Sequence, residues 1–241
     1  MAGRPCGAHF LPPGLAAEIV RAAGVRPGEL VLDLGAGLGA LTAPLAATGA
    51  RVVAVEIVDG YARSLARRFP GVTVVHGDLL AVPLPRRDFR VVANIPFHTT
   101  SALLRRLLDP GASRLARAHL VVQHAAARRL IGVPTDARSR WWAARYRIRL
   151  ARRIPAACFR PPPAVDAALL VVDRPPLTPR AERLLAELMA GAARQPGRSA
   201  RALVRGLAGP AALSAAGIEP GQPAGLVPPA GWRALAEGVM R

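Results

Sequence analysis

Residues 33–39 of this chain read Asp-Leu-Gly-Ala-Gly-Leu-Gly, directly after an apolar run at 29–34 and directly before a helical pattern at 40–48. A buried strand that breaks on three closely spaced glycines and resumes as a helix is the turn of a βα unit. Glycine there lets the backbone bend tightly and lets a ligand approach it. Strand and helix patterns then alternate. Strands are expected at 51–56, 72–76, 89–93 and 118–123, and helices at 60–69 and 101–108, with an amphipathic helix at 15–25 ahead of the glycine loop. Such alternation builds an α/β fold with a parallel, doubly wound sheet.

At 146–150 the apolar period becomes two, with Tyr146, Ile148 and Leu150 on one face and Arg147 and Arg149 on the other. A further strand follows at 166–172, and this late pair is a candidate for antiparallel pairing. The run Arg-Pro-Pro-Leu-Thr-Pro at 174–179 interrupts regular structure and marks the candidate boundary between domains. Residues 1–175 are expected to form the α/β domain and 176–241 a small all-α appendage, with helices at 180–194, 198–207, 211–216 and 230–240.

Hydrophobic residues make up 51% of the 241, enough for a real core and against disorder throughout. The chain holds 33 basic and 15 acidic residues, a net charge of +18, and every basic residue is Arg. The charge favours a polyanionic partner, because guanidinium grips phosphate with two donors and stacks on bases. The choice of Arg over Lys reads mostly as coding bias. Cys6 and Cys158 are the two cysteines, too few and too far apart for a metal site or a disulfide framework, so no metal is expected. A reduced cytoplasm is the expected setting, with no apolar stretch long enough to span a membrane and no signal peptide. A monomer is expected.

Two acids extend the glycine loop into a candidate binding crevice. Glu56 closes the second strand, where a carboxylate can accept from a ribose diol, and Asp78 closes the third, where one can accept from an adenine amino group. Loop and acids together suit a nucleoside. The glycine spacing with Ala40 also fits the dinucleotide fingerprint, so a nicotinamide oxidoreductase stays open at this point.

After the fourth strand comes Asn94-Ile95-Pro96-Phe97. An amino group on a base is a poor nucleophile, since its lone pair is delocalised into the ring. The Asn94 side-chain oxygen and a backbone carbonyl can both accept from it, drawing the nitrogen toward tetrahedral geometry and aiming its lone pair. Pro96 stiffens the loop, and Phe97 offers a flat face for a flipped base. The chemistry this suits is methyl transfer to a base amino nitrogen.

These residues resemble the ribosomal RNA adenine N6-methyltransferases, especially the erythromycin-resistance (Erm) methyltransferases of 23S RNA. The resemblance covers about residues 8 to 177. It rests on Phe10-Leu11, Asp33 to Gly39, Val55-Glu56, Gly77-Asp78, Asn94 to His98, Gln123, and Phe159-Arg160-Pro161-Pro162-Pro163-Ala164-Val165-Asp166. It implies a Rossmann-like S-adenosylmethionine-dependent methyltransferase domain with a small all-α C-terminal domain that helps hold RNA. It further implies that His9, Leu11, Gly35, Gly37, Glu56, Asp78 and Asn94 hold S-adenosylmethionine, and that Phe97 and Phe159 sandwich the target adenine. The chain departs from the family at Ala8 and His9, where Gln-Asn is usual, and at Ala164, where Lys or Ser is frequent. The sister type, which dimethylates 16S RNA, has the same chemistry and usually Leu where Ile95 stands.

Residues 128–160 hold ten Arg and one acid, Asp136, with Trp141, Trp142 and Tyr146 interleaved. A basic strip with aromatics suits RNA backbone and unpaired bases. Arg128, Arg129, Arg138, Arg140, Arg145, Arg147, Arg149 and Arg160 are the expected RNA contacts. A reading of another class is a non-catalytic RNA-binding protein on the same fold.

Overall fold

The computed structural model describes residues 9–239; the departure at Ala8 and the cysteine Cys6 lie outside them. Two compact units form. One takes in the chain up to 132 together with Ile148–Asp173, and the other takes in Val133–Arg147 and Arg174 onward.

The first unit holds a seven-stranded sheet: β1 (Leu30–Leu34), β2 (Arg51–Glu56), β3 (Thr73–His76), β4 (Phe89–Asn94), β5 (Leu115–Gln123), β6 (Arg147–Ile154) and β7 (Ala167–Asp173), in the order β3-β2-β1-β4-β5-β7-β6. The first five strands are mutually parallel, and β7 runs antiparallel to β5, with His119 opposite Val171 and Val92. The order reverses between β1 and β4, so the strand ends there open a crevice at the switch point.

Helices α1 (Pro13–Ala23), α2 (Thr42–Ala46) and α3 (Asp59–Arg68) cover one face. Their Leu15, Ile19, Leu45 and Leu65 share a core with alternate strand residues Val31, Val52, Ala54, Val92, Val121, Leu169 and Val171, the two-residue period of a pleated strand. Helices α4 (Thr100–Leu108) and α5 (His124–Leu130) pack against β5, α4 burying Leu103, Leu104, Leu107 and Leu108. The strip expected to carry RNA-facing side chains alternates in β6 as the sequence implies: Arg147 and Arg149 are exposed, while Ile148 and Leu150 are half-buried.

The second unit is all helical: α6 (Ala137–Arg145), α7 (Pro179–Arg194), α8 (Ala200–Leu203), α9 (Pro210–Ala215) and α10 (Pro229–Val239). Helix α6 is a finding the sequence pattern did not supply. A capping box starts it: the Asp136 carboxylate accepts from the Ser139 amide at 2.7 Å, and the Ser139 hydroxyl accepts from the Asp136 amide. Helices α6, α7 and α10 contact one another around fully buried Trp232. Among the described residues no helix is long and apolar enough to cross a membrane.

Candidate active site

A cavity of about 330 Å³ opens at the switch point, lined by the loop after β1, the ends of β2 and β4, the turn after β3, and residues 9–11. Gly37 takes φ +56°, and a side chain there would press on the Phe10 ring, 3.1 Å from a Cβ. Gly39 takes φ +85° and has no room at all: a Cβ would sit 2.8 Å from Leu65 and 2.9 Å from Phe69. The first two glycines therefore shape the cavity and the third lets α3 close on the loop.

Loop and acid are joined directly. The Gly37 amide donates to Glu56 Oε2 at 2.7 Å, and the Val58 amide to Oε1 at 2.8 Å. The amides of Gly35 and Ala36 both donate to the Val55 carbonyl. The N–H groups that would cradle a pyrophosphate are thus already engaged, one of them by a carboxylate. Asp33, Glu56 and Asp78 line the cavity, and none of the described arginines does. In a protein of charge +18 this acidic, Arg-free lining turns away phosphates and suits a nucleoside bearing a positive charge. A dinucleotide does not fit it; S-adenosylmethionine, a sulfonium on an adenosine, does.

Asp33 went unassigned by motif reasoning beyond its membership in the glycine segment. It is 1% exposed and accepts from the Thr42 hydroxyl at 2.6 Å. Burial pushes its pKa up to about 7; the Thr42 bond opposes this, and the neighbouring Glu56 charge adds to it. The signal was available, since a carboxylate inside an apolar strand run is unusual without a task.

Asn94 closes β4 with its side-chain amide fixed. Its Nδ2 donates to the His9 carbonyl at 2.7 Å, so Oδ1 is left as the acceptor. The Ile95 amide donates to the Val121 carbonyl, and its side chain is 2% exposed, so only its backbone serves the cavity. The Pro96 carbonyl is taken by the Thr99 amide and hydroxyl at 2.9 and 2.8 Å, which leaves the Ile95 carbonyl as the second acceptor. Phe97 lines the cavity, with the His9 ring centroid 6.0 Å from its own. The departure at His9 has a local role: its Nδ1 bonds the Pro161 carbonyl at 2.9 Å, beside reciprocal Phe10–Arg160 backbone bonds of 3.1 and 3.0 Å. Leu11, nearly buried, completes this side.

Of the expected site residues, His9, Leu11, Gly35, Gly37, Glu56, Asp78, Asn94, Ile95, Pro96 and Phe97 all come to the one cavity. Phe159 does not. It is fully buried in the apolar core with Ile154, Ala167 and Leu169, and it is absent from the cavity wall, so in this structure it forms no sandwich with Phe97.

The basic strip also needs correction. Trp141, Trp142 and Tyr146 are buried, because α6 turns one face into the second unit. Arg145 lies on that face, 2% exposed; its Nε donates to Glu182 at 2.7 Å and an outer nitrogen to the Pro175 carbonyl at 2.8 Å. It is a structural arginine and not an RNA contact. Arg140 is half-buried and donates to the Val227 carbonyl at 2.6 Å. Arg128, Arg129, Arg138, Arg147, Arg149 and Arg160 are exposed.

Sheet order, acidic nucleoside crevice and the Asn94–Phe97 turn define the class: a Rossmann-like, S-adenosylmethionine-dependent methyltransferase. The profile of the ribosomal RNA adenine dimethylases matches residues 6–190, and the chain belongs to that family, whose members are S-adenosylmethionine-dependent enzymes. It is 38% identical over 202 residues to the mycinamicin-resistance protein MyrB of Micromonospora griseorubida, covering 78% of this chain and 61% of that one. It is 34% identical over 245 residues to a ribosomal RNA small subunit methyltransferase A of Phenylobacterium zucineum, covering 96% and 86%. Among solved structures, the 23S rRNA methyltransferase ErmE superposes with a TM-score of 0.72 at 27% identity, covering 96% of this chain and all of that one.

Proposed function

We propose that this enzyme methylates the N6 amino group of an adenine in the peptidyl-transferase region of 23S ribosomal RNA, giving macrolide-type antibiotic resistance. The observation that carries the target assignment is the likeness to ErmE over 96% of this chain and all of that one; the identity to MyrB supports it. The reading sets the protein in the cytoplasm, acting as a monomer. The second reading, methylation of 16S RNA, draws on the match to small subunit methyltransferase A, which covers 96% of this chain and 86% of that one.

The chemistry follows from the turn after β4. A flipped adenine stacks on Phe97, which is cheapest when the base starts in an unpaired loop. Asn94 Oδ1 and the Ile95 carbonyl accept its two amino hydrogens and hold the nitrogen lone pair toward the cavity. When bound, S-adenosylmethionine supplies an electrophilic methyl group. Glu56 and Asp78 would hold the ribose and adenine of the cofactor, and Gly35, Gly37 and Leu11 line the same cavity. The methylated nitrogen is acidic enough to release its proton to water, so no strong base is required. On RNA, the exposed Arg128, Arg129, Arg138, Arg147, Arg149 and Arg160 supply phosphate contacts, and the second unit is an RNA-binding appendage.

Expression in a macrolide-sensitive bacterium tests the reading. Wild type is expected to raise the inhibitory macrolide concentration, and Asn94→Ala to leave it at the host's level. Sensitivity unchanged by well-expressed wild type would count against the 23S assignment; resistance from a non-methylating Asn94→Ala would support the alternative of a binding protein without catalysis.

A further inference from the structure

Arg106 sits near the C-terminal end of α4, outside the cavity wall. Its guanidinium donates to the Leu79 carbonyl at 2.6 Å and, through its other outer nitrogen, to the Val82 carbonyl. Both acceptors belong to the turn that begins at Asp78. The Asp78 carboxylate is the charge that offsets the partial burial of this guanidinium.

The turn is tight on every side. The Gly77 amide donates to the Glu56 carbonyl at 2.9 Å, and a Cβ at Gly77 would lie 3.0 Å from Val82. The Leu80 amide donates to Asp78 Oδ1 at 2.8 Å, and the amides of Ala81 and Val82 return to the Asp78 carbonyl. Leu79 faces the cavity, its side chain 3.4 Å from where a Cβ on Gly35 would stand. Arg106 closes this turn from outside, and it does so from the helix that starts directly after Phe97–Thr99. Six helical residues, about 9 Å, separate the two ends. One helix thus anchors both the base-stacking turn and the nucleoside turn.

We propose that Arg106 is a positioning residue for cofactor binding: by gripping the Leu79 and Val82 carbonyls it holds Asp78 and Leu79 against the nucleoside end of the cavity. The proposal rests on the assignment of Asp78 to that end. Lys cannot replace Arg106 fully, because one ammonium does not span two carbonyls as a planar fork does.

The test is calorimetric binding of S-adenosylmethionine and of 5′-methylthioadenosine, which lacks the amino-acid part, to wild type, Arg106→Met, Arg106→Lys and Asp78→Ala. For Arg106→Met both ligands are expected to bind about tenfold more weakly, the low end for a lost charged hydrogen bond. Arg106→Lys is expected to fall between, and KM for RNA to stay unchanged in both, a split that a merely structural arginine would not produce. Should Arg106→Met fail to fold, Arg106→Lys carries the test through the same shared weakening. Wild-type affinity in the Arg106 variants while Asp78→Ala is weakened would overturn the proposal alone. Wild-type affinity in Asp78→Ala would overturn the nucleoside assignment beneath it, and weakening confined to S-adenosylmethionine would place Arg106 at the wrong end of the cavity.

Discussion

Under the proposed reaction, individual side chains of the cavity have separable roles. Asn94 is oriented by the His9 carbonyl, so Asn94→Ala is expected to abolish methyl transfer while cofactor affinity, measured by calorimetry, stays within a few-fold of wild type. Phe97→Ala is expected to reduce kcat/KM by the worth of one base–aromatic stack, about 1–3 kcal/mol; single-turnover kinetics with an RNA fragment would read it. Asp33 titrates near pH 7 because it is buried. Burial favours its neutral form, and a cationic cofactor favours the ionised one. Cofactor affinity is therefore expected to rise from pH 6 to pH 8, and Asp33→Asn to flatten that rise. An affinity independent of pH in wild type would remove the Asp33 charge from the site. These residues were legible in the sequence to different degrees. Asn94 to Phe97, Glu56 and Asp78 stand at strand ends, where a linear pattern predicts exposure to a crevice. Phe159 misled, because a Phe-Arg-Pro-Pro-Pro string reads as an exposed loop. In fact the ring turns inward while Arg160 and Pro161 stay outside.

Among the elements, β5 shows how burial sets a pH limit. His119 is 3% exposed between β4 and β7, and its pKa is lowered to about 4, first by burial and then by the charges of Arg117 and Arg90. Above its ordinary pKa, near 6.5, it is neutral folded or unfolded. Between about 6.5 and 4 only the unfolded chain takes the proton, so stability falls with falling pH. Urea unfolding across this window is expected to show that loss in wild type and less of it in His119→Leu. Helix α6 teaches a different lesson. Its nine residues include three arginines and two tryptophans, and composition alone suggested an RNA-facing strip. The Asp136–Ser139 capping box was readable and would have called for a helix, which puts Trp141, Trp142 and Arg145 on one inward face. Arg145→Ala leaves the Glu182 carboxylate and the Pro175 carbonyl without their donor. It is expected to destabilise the fold by about 2–3 kcal/mol, a figure kept low because Glu182 is partly solvated.

At the scale of the molecule, charge is sorted by task. Among the described residues the cavity wall holds three acids and no arginine, in a chain of net charge +18. The acidic wall suits a cationic nucleoside, and the net positive charge underlies the proposed RNA contacts. The α/β alternation was legible because it rests on local periodicity. That residues 133–147 join the helical unit was not, since which unit a segment packs against is decided by contacts distant in sequence. If Arg128 and Arg129 meet phosphates of unpaired RNA, changing both to Ala is expected to lower the slope of log affinity against log salt by about 1.4, from roughly 0.7 for each contact. The measurement that bears most directly on the whole account is methyl transfer from labelled S-adenosylmethionine to purified 23S and 16S RNA, with the modified base mapped. Label is expected at N6 of an adenine in the peptidyl-transferase region of 23S RNA; label confined to 16S RNA would contradict the proposed target, and label on neither RNA would contradict the proposed chemistry.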